Sequence, residues 1–198
     1  MIQEHRLVGA TIPSRTLPGF SLYTNTIHNM TIQYPSTWNE QEILLNNGHT
    51  GVEVMFVAPI AVRFSKVENS ETILAKIRDI IYNQSSTTAV LSLKRLPVDE
   101  NYRFHDVMDD HIHALGICFD NVNVLQATYD YNLGGMPASE LVYTYTDPLQ
   151  NQLDKKGMKI ISLKLHREIT ITYSSPIHGF LTFLPTIERM IRTLSIEE

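Results

Sequence analysis

From Phe20 onward the chain alternates apolar and polar positions in short runs. Phe20 and Leu22, then Met30, Ile32 and Tyr34, have polar neighbours on either side of the polar stretch 24–29, which predicts two half-buried strands joined as a hairpin. Pro35 cannot donate to a ladder and is expected to end the second strand. Trp38 is expected to plug one end of the core, because a ring of that size is rarely left in water. "NEQEILLNNGHTG" reads as a loop turning on Gly48 and Gly51, and "VEVMFVAP" as a central strand. Over 70–82 the spacing of Ile73, Leu74, Ile77, Ile80 and Ile81 predicts a helix lying on a sheet, with Ser70 as N-cap.

Residues 88–96 alternate again and read as a strand. The stretch 102–119 has helical spacing. Phe104, Val107, Met108, Leu115 and Cys118 share one side, and His105, Asp106, Asp109, Asp110 and His113 the other. A short strand is expected at 122–127, and "LGGMPASELVYTYTD" reads as a turn at Gly134-Gly135 feeding an alternating strand. "MKIISLKLH" and "EITITYS" predict two more strands about a tight reversal near Arg167. Ser175 and Pro176 are placed as N-cap and first residue of a last helix, with Pro185 expected to kink or restart it. Strands joined by short turns make a mainly antiparallel sheet whose faces the helices must cover, an α+β sandwich.

The bulk numbers narrow the function classes. With 198 residues, 43% of them hydrophobic and 19% charged, the chain is long enough for one substantial core and is not a disordered polymer. Net charge is −5 and no basic run exceeds Lys155-Lys156, which excludes a nucleic-acid face built on clustered cations. No apolar run approaches the ~18 residues of a membrane span. The first residues lack the apolar core of a signal peptide, leaving two readings open: a cytoplasmic protein, or a mature form whose leader has been removed. Cys118 is the single cysteine, so no disulfide forms within the chain.

Gly134-Gly135 followed by a strand, Pro137 and Glu140 makes a turn and not a phosphate loop, which needs a helix start with Lys and Ser/Thr after it. The segment also carries a resemblance. "LGGMPASELVYTYTD" resembles the Gly/Pro turn and tyrosine-rich strand of PsbP-like domains. "LYTNTIHNMTIQYPSTW" resembles their opening hairpin, and "FLPTIERMIRTLSI" their closing Leu-Pro helix with its apolar tail. The resemblance runs from about Phe20 to Ile196. It implies one PsbP-like domain over 20–198, an α/β/α sandwich with a central, mainly antiparallel sheet, behind a flexible arm at 1–19. Residues 60–87 fit the pattern least and read as an insertion carrying the extra helix.

Plant and cyanobacterial members of that family are extrinsic lumenal subunits of photosystem II that help retain calcium, chloride and manganese. Other prokaryotic members are exported proteins of unknown function, and a nuclear Ran-GTPase-binding factor shares the fold. The resemblance therefore implies a non-catalytic accessory or binding module with a protein partner, outside the cytoplasm. A cytoplasmic adaptor like the Ran-binding relative is the alternative.

The stretch with most chemistry is "FHDVMDDHIHALGICFD". Asp106, Asp110 and His113 fall at i, i+4 and i+7, and Asp109 with His113 at i, i+4, so carboxylates and an imidazole share a helix face that could take Zn²⁺, Mn²⁺ or Ca²⁺. The competing reading is a solvated polar face, and one helix seldom aims more than two ligands at an ion. No other cofactor is indicated. His111 is turned toward the apolar side and is expected to be half-buried and hydrogen-bonded, while Cys118 on the buried stripe is an inert thiol. Adjacent Asp109 and Asp110 diverge on a helix and cannot cooperate as acid and base. Tyr129, Tyr131, Tyr143, Tyr145 and Tyr173 are expected to pack the sheet, and Lys155, Lys156 and Lys159 to form a solvated turn. No catalytic set emerges.

Overall fold

Pairing begins with β1 (Phe20–Asn25) and β2 (Met30–Pro35), the expected hairpin, which the two-residue β10 (Ser195–Ile196) joins to make a three-stranded sheet. The computed structural model describes residues 16–46, 50–59, 89–98, 103–148, 152–164 and 166–197. The helix expected at 70–82, the whole of the insertion at 60–87 and the first fifteen residues of the arm lie outside them.

A second sheet of seven strands is antiparallel throughout, with order β3-β4-β5-β9-β8-β7-β6. Its strands are β3 (Asn39–Asn46), β4 (Thr50–Val57), β5 (Val90–Pro97), β6 (Asp120–Leu133), β7 (Met136–Asp147), β8 (Leu153–Lys164) and β9 (Arg167–Pro176). Two expectations change here. Residues 39–46 form a strand and not a loop, because all eight pair with β4 despite their polar composition. The strand expected at 122–127 is fourteen residues long, extended at both ends by pairing with β7.

The tight turn at Gly134-Gly135 is present. Leu133 pairs with Met136, and the two glycines between them have φ of 58° and 91°, the left-handed geometry that a two-residue hairpin needs. Reversal near Arg167 is also present, with Lys164 paired to Arg167 and His166 at φ 56°.

Alternation sorts the large sheet into two faces. One face carries Val52, Val54, Phe56, Leu91, Leu93, Met158, Ile160, Ile169, Ile171 and Tyr173. It is covered by Met30, Ile32 and Ile196 of the small sheet, and by Ile187, Met190 and Ile191 of the last helix. The opposite face carries Leu141, Tyr143, Tyr145 and Ile161, covered by helix α1 (Phe104–Cys118) through Val107, Met108 and Leu115. Each of those three side chains contributes about 2 kcal/mol by leaving water. The result is the expected α+β sandwich, a central antiparallel sheet with helices on both faces. Trp38 closes the end of the core as expected, its ring edge-on to Phe183 at 6.1 Å.

Gly157 faces Tyr143 across β8 and β7, and a Cβ there would lie 2.5 Å from the ring. The last helix, α2 (Phe180–Arg192), starts later than Ser175-Pro176. Those residues end β9 on the ladder with β8, and a 3-10 turn at Ile177–Gly179 precedes the helix. Pro185 lies inside α2 and does not restart it: both Pro185 and Leu181, whose carbonyl loses its partner, are exposed, so water can serve that carbonyl.

Candidate functional site

Helix α1 carries the chain from β5, inside the sheet, to β6 at the sheet's edge, so it lies over one sheet face and presents its other side outward. Asp106, in the first turn where an anion complements the helix dipole, is exposed, as are Asp109, Asp110 and His113. The structure thus places the four sequence-predicted residues on one solvated strip. Among the described residues no three His, Cys, Asp or Glu side chains come close enough together to hold a metal ion.

Cys118 differs from expectation. It is exposed, because α1 ends there and the buried position passes to Phe119, whose ring packs on Tyr145 at 4.3 Å.

Below α1 is a polar cluster that the sequence did not assemble. His111 is half-buried, as its position on the helix implied. Its Nε2 is 3.1 Å from Glu168 Oε1 on β9, and its Nδ1 is 3.2 Å from Lys159 Nζ on β8. With Lys159 an ammonium, which can only donate, the ring is neutral and carries its proton on Nε2. Thr170 donates to the same Glu168 oxygen at 2.5 Å. Burial pushes the Glu168 carboxyl up, but hydrogen bonds from His111 and Thr170 and the charge of Lys159 outweigh it and hold it below the usual range. Burial holds the Lys159 ammonium below its ordinary value against the pull of Glu168. The cluster bonds helix to sheet. Alternation put Lys159 and Glu168 opposite Ile160 and Ile169, but nothing in their spacing said that α1 crosses those two strands.

The three lysines do not form a solvated patch. Strand alternation divides them between the two sheet faces. Lys155 pairs with Asp147 at 3.3 Å with both side chains largely buried, Lys156 sits 4.8 Å over the Phe180 ring, and Lys159 joins the cluster beneath α1. Of the tyrosines, Tyr143, Tyr145 and Tyr173 are buried and Tyr131 packs on the core, while Tyr129 is 46% exposed.

Tyr129 belongs to β6, the surface with the most unusual composition. β6 is the last strand of the sheet, paired only with β7 among the described residues. Val124, Leu125 (50% exposed) and Tyr129 stand in solvent along it, and Ile117 (72% exposed) lies on the turn of α1 that leads into it. Asp120 and Asp130 are exposed on the same strand, and Asp109 and Asp110 on the same helix. The register shifts three times along the strand, between Asp120 and Asn123, Val124 and Gln126, and Thr128 and Tyr131. Such irregularities re-aim side chains and break up a continuous edge. Exposed apolar and acidic side chains thus share this edge strand and the helix before it.

No family model matches the chain, and no curated protein matches it in sequence. Solved structures match its shape. Cyanobacterial PsbP from Synechocystis superposes with a TM-score of 0.56 at 12% identity, over 95% of this chain and 98% of that one. PA94 from Pseudomonas aeruginosa, a protein of unknown function, superposes with 0.55 at 12% identity, over 90% and 98%. A Mog1 mutant superposes with 0.51 at 8% identity, over 89% and 95%. The fold is therefore the PsbP-like α+β sandwich. At these identities the likeness is one of architecture, and no residue of a site transfers with it.

Proposed function

We propose that this chain is a non-catalytic binding module that docks a protein partner on β6 and the end of α1. The observation that carries the reading is the exposure of Ile117, Val124, Leu125 and Tyr129, with Asp109, Asp110, Asp120 and Asp130 exposed on the same two elements. Isolated exposed apolar residues are ordinary, but several on one irregular edge strand and the helix turn feeding it match the composition of interaction surfaces. The partner fitting this chemistry is a protein face with apolar side chains flanked by Lys or Arg. Docking is by side chains, since three register shifts leave no long straight ladder for a strand to join. The PsbP-like fold supports a binding role, and the same resemblance supports a place outside the cytoplasm. Fractionation that leaves the protein with cytoplasmic markers overturns that second part.

Affinity capture tests the docking surface. The wild-type chain, Leu125→Glu and Tyr129→Glu on β6, and Leu181→Glu as a control at an exposed apolar site on α2, are used as bait. The expected result is one partner lost with both β6 variants and kept with the control. Capture that is the same for all four, or none at all, overturns the reading.

A further inference from the structure

A different surface, between the open end of the β1–β2 hairpin and the outer side of α2, carries an independent inference. There lies an open groove of about 540 Å³. Its walls are flat: the rings of Phe20, Trp38 and Phe183, with Pro35 and Pro185. Phe20 and Pro35 face each other as the terminal pair of the hairpin, and Trp38 meets Phe183 edge to face, so both walls are fixed by secondary structure. The polar lining is Arg189, Thr182 and Thr186, and among the described residues no carboxylate lines the groove. Arg189 lies with its guanidinium 4.8 Å over the Phe20 ring, and takes no carboxylate partner among the described residues. Stacking of this kind holds the guanidinium flat and leaves its edge N–H groups to donate.

We propose that this groove binds a proline-rich segment carrying an acidic residue. Aromatic and proline side chains lining an open groove suit a polyproline II helix, which is preformed and so loses little entropy on docking. The polar chemistry agrees. Arginine and the Trp38 indole can only donate, and a proline-rich backbone offers carbonyl acceptors without competing N–H donors. Arg189 at one end supplies the charge that selects a Glu or Asp beside the prolines. The 540 Å³ volume is within the range of sites that hold a few side chains.

Trp38 is the only tryptophan, so its emission reads the groove directly. Full-length protein is titrated with a synthetic peptide carrying Pro-Ala-Ala-Pro-Glu, with a version whose prolines are alanine, and with one whose Glu is Lys. The expected result is a saturable change with the first peptide and none with the alanine version. Binding should weaken about fivefold with the Lys peptide or in Arg189→Glu, and recover when those two changes are combined. Arg189 is exposed, so its substitution leaves the fold intact. Equal binding of the alanine peptide, or no change in Trp38 emission at any concentration, overturns the proposal. So does a photoreactive residue at Thr182 that crosslinks to this chain's own segments or to a second copy. Loss of partner capture by the β6 variants is unaffected by any of these outcomes.

Discussion

Glu168→Gln removes one charge and keeps the shape of the side chain, which makes it the sharpest probe of how α1 is fixed to the sheet. Glu168 Oε1 accepts from both His111 and Thr170, and its side chain is 13% exposed. Hydrogen bonds to a charged group are worth about 1.5–3 kcal/mol each, and an amide oxygen retains part of both. The expected loss is about 2 kcal/mol at pH 7, or roughly 4–8 °C in melting temperature for a chain of this size. The pH dependence supplies the internal control. The folded Glu168 titrates below its unfolded value of about 4.3, so its contribution is complete above that value and disappears as pH falls through the folded one. Urea unfolding of wild type and variant between pH 7 and about pH 2 should show a gap that is constant near neutrality and closes in acid. A double-mutant cycle with His111→Leu should give a coupling of about 1 kcal/mol. A variant as stable as wild type at pH 7, or a gap of the same size at every pH, refutes the argument.

Other residues give separate tests. Gly157→Ala should cost about 1–2 kcal/mol net of the unfolded-state entropy it saves, because Tyr143 is buried beside Tyr145 and its ring cannot swing away from a Cβ 2.5 Å distant; adding Tyr143→Leu should recover part of the loss by thermal melting. Lys159 has a folded value below its unfolded one, so it makes stability rise with pH from the folded value up to about 10.4. Lys159→Met should flatten that rise in alkaline urea titrations, and an unchanged slope would sink the assignment. Melting with chelator and then Mn²⁺, Zn²⁺ or Ca²⁺ tests whether the Asp/His strip of α1 takes an ion, and an unchanged melting temperature in every case makes it a solvated face. A rise of about 2.7 kcal/mol at 100 times the Kd, abolished by Asp110→Ala, would instead make the α1 face a metal site.

Where the pattern was local, the sequence was sufficient. The hairpin of β1 and β2, the glycine turn before β7, the reversal at Arg167 and the amphipathic α1 all rest on periods of two or 3.6 residues and on turn chemistry that neighbours dictate. Where a residue's state depended on a distant partner, it was not. Residues 39–46 look like a loop until β4 lies beside them, and Cys118 looks buried until Phe119 takes the inner position. The lysines of β8 look solvated until Asp147, Phe180 and His111 meet them from three other elements. Most of the candidate surfaces belong to this second kind. The acidic strip on α1 was visible because one helix carries it, while the β6 strip needs a sheet order and the proline-walled groove needs a hairpin, a tryptophan and a helix brought together.

The edge at β6 joins these points. A long edge strand with apolar side chains in water is an aggregation risk, and proteins blunt such edges with charges and irregular pairing. β6 has both: Asp120 and Asp130 on the strand, and three register shifts that leave no run of pairs longer than three residues. Had the strip been structural, the simplest remedy would have been polar residues at 117, 124, 125 and 129, since none of these side chains is buried. Instead the backbone is made unfit for strand addition while the apolar side chains stay outside. That combination protects the surface from indiscriminate pairing and keeps it open to a partner with complementary shape and charge, the property a docking site needs and a covered edge does not.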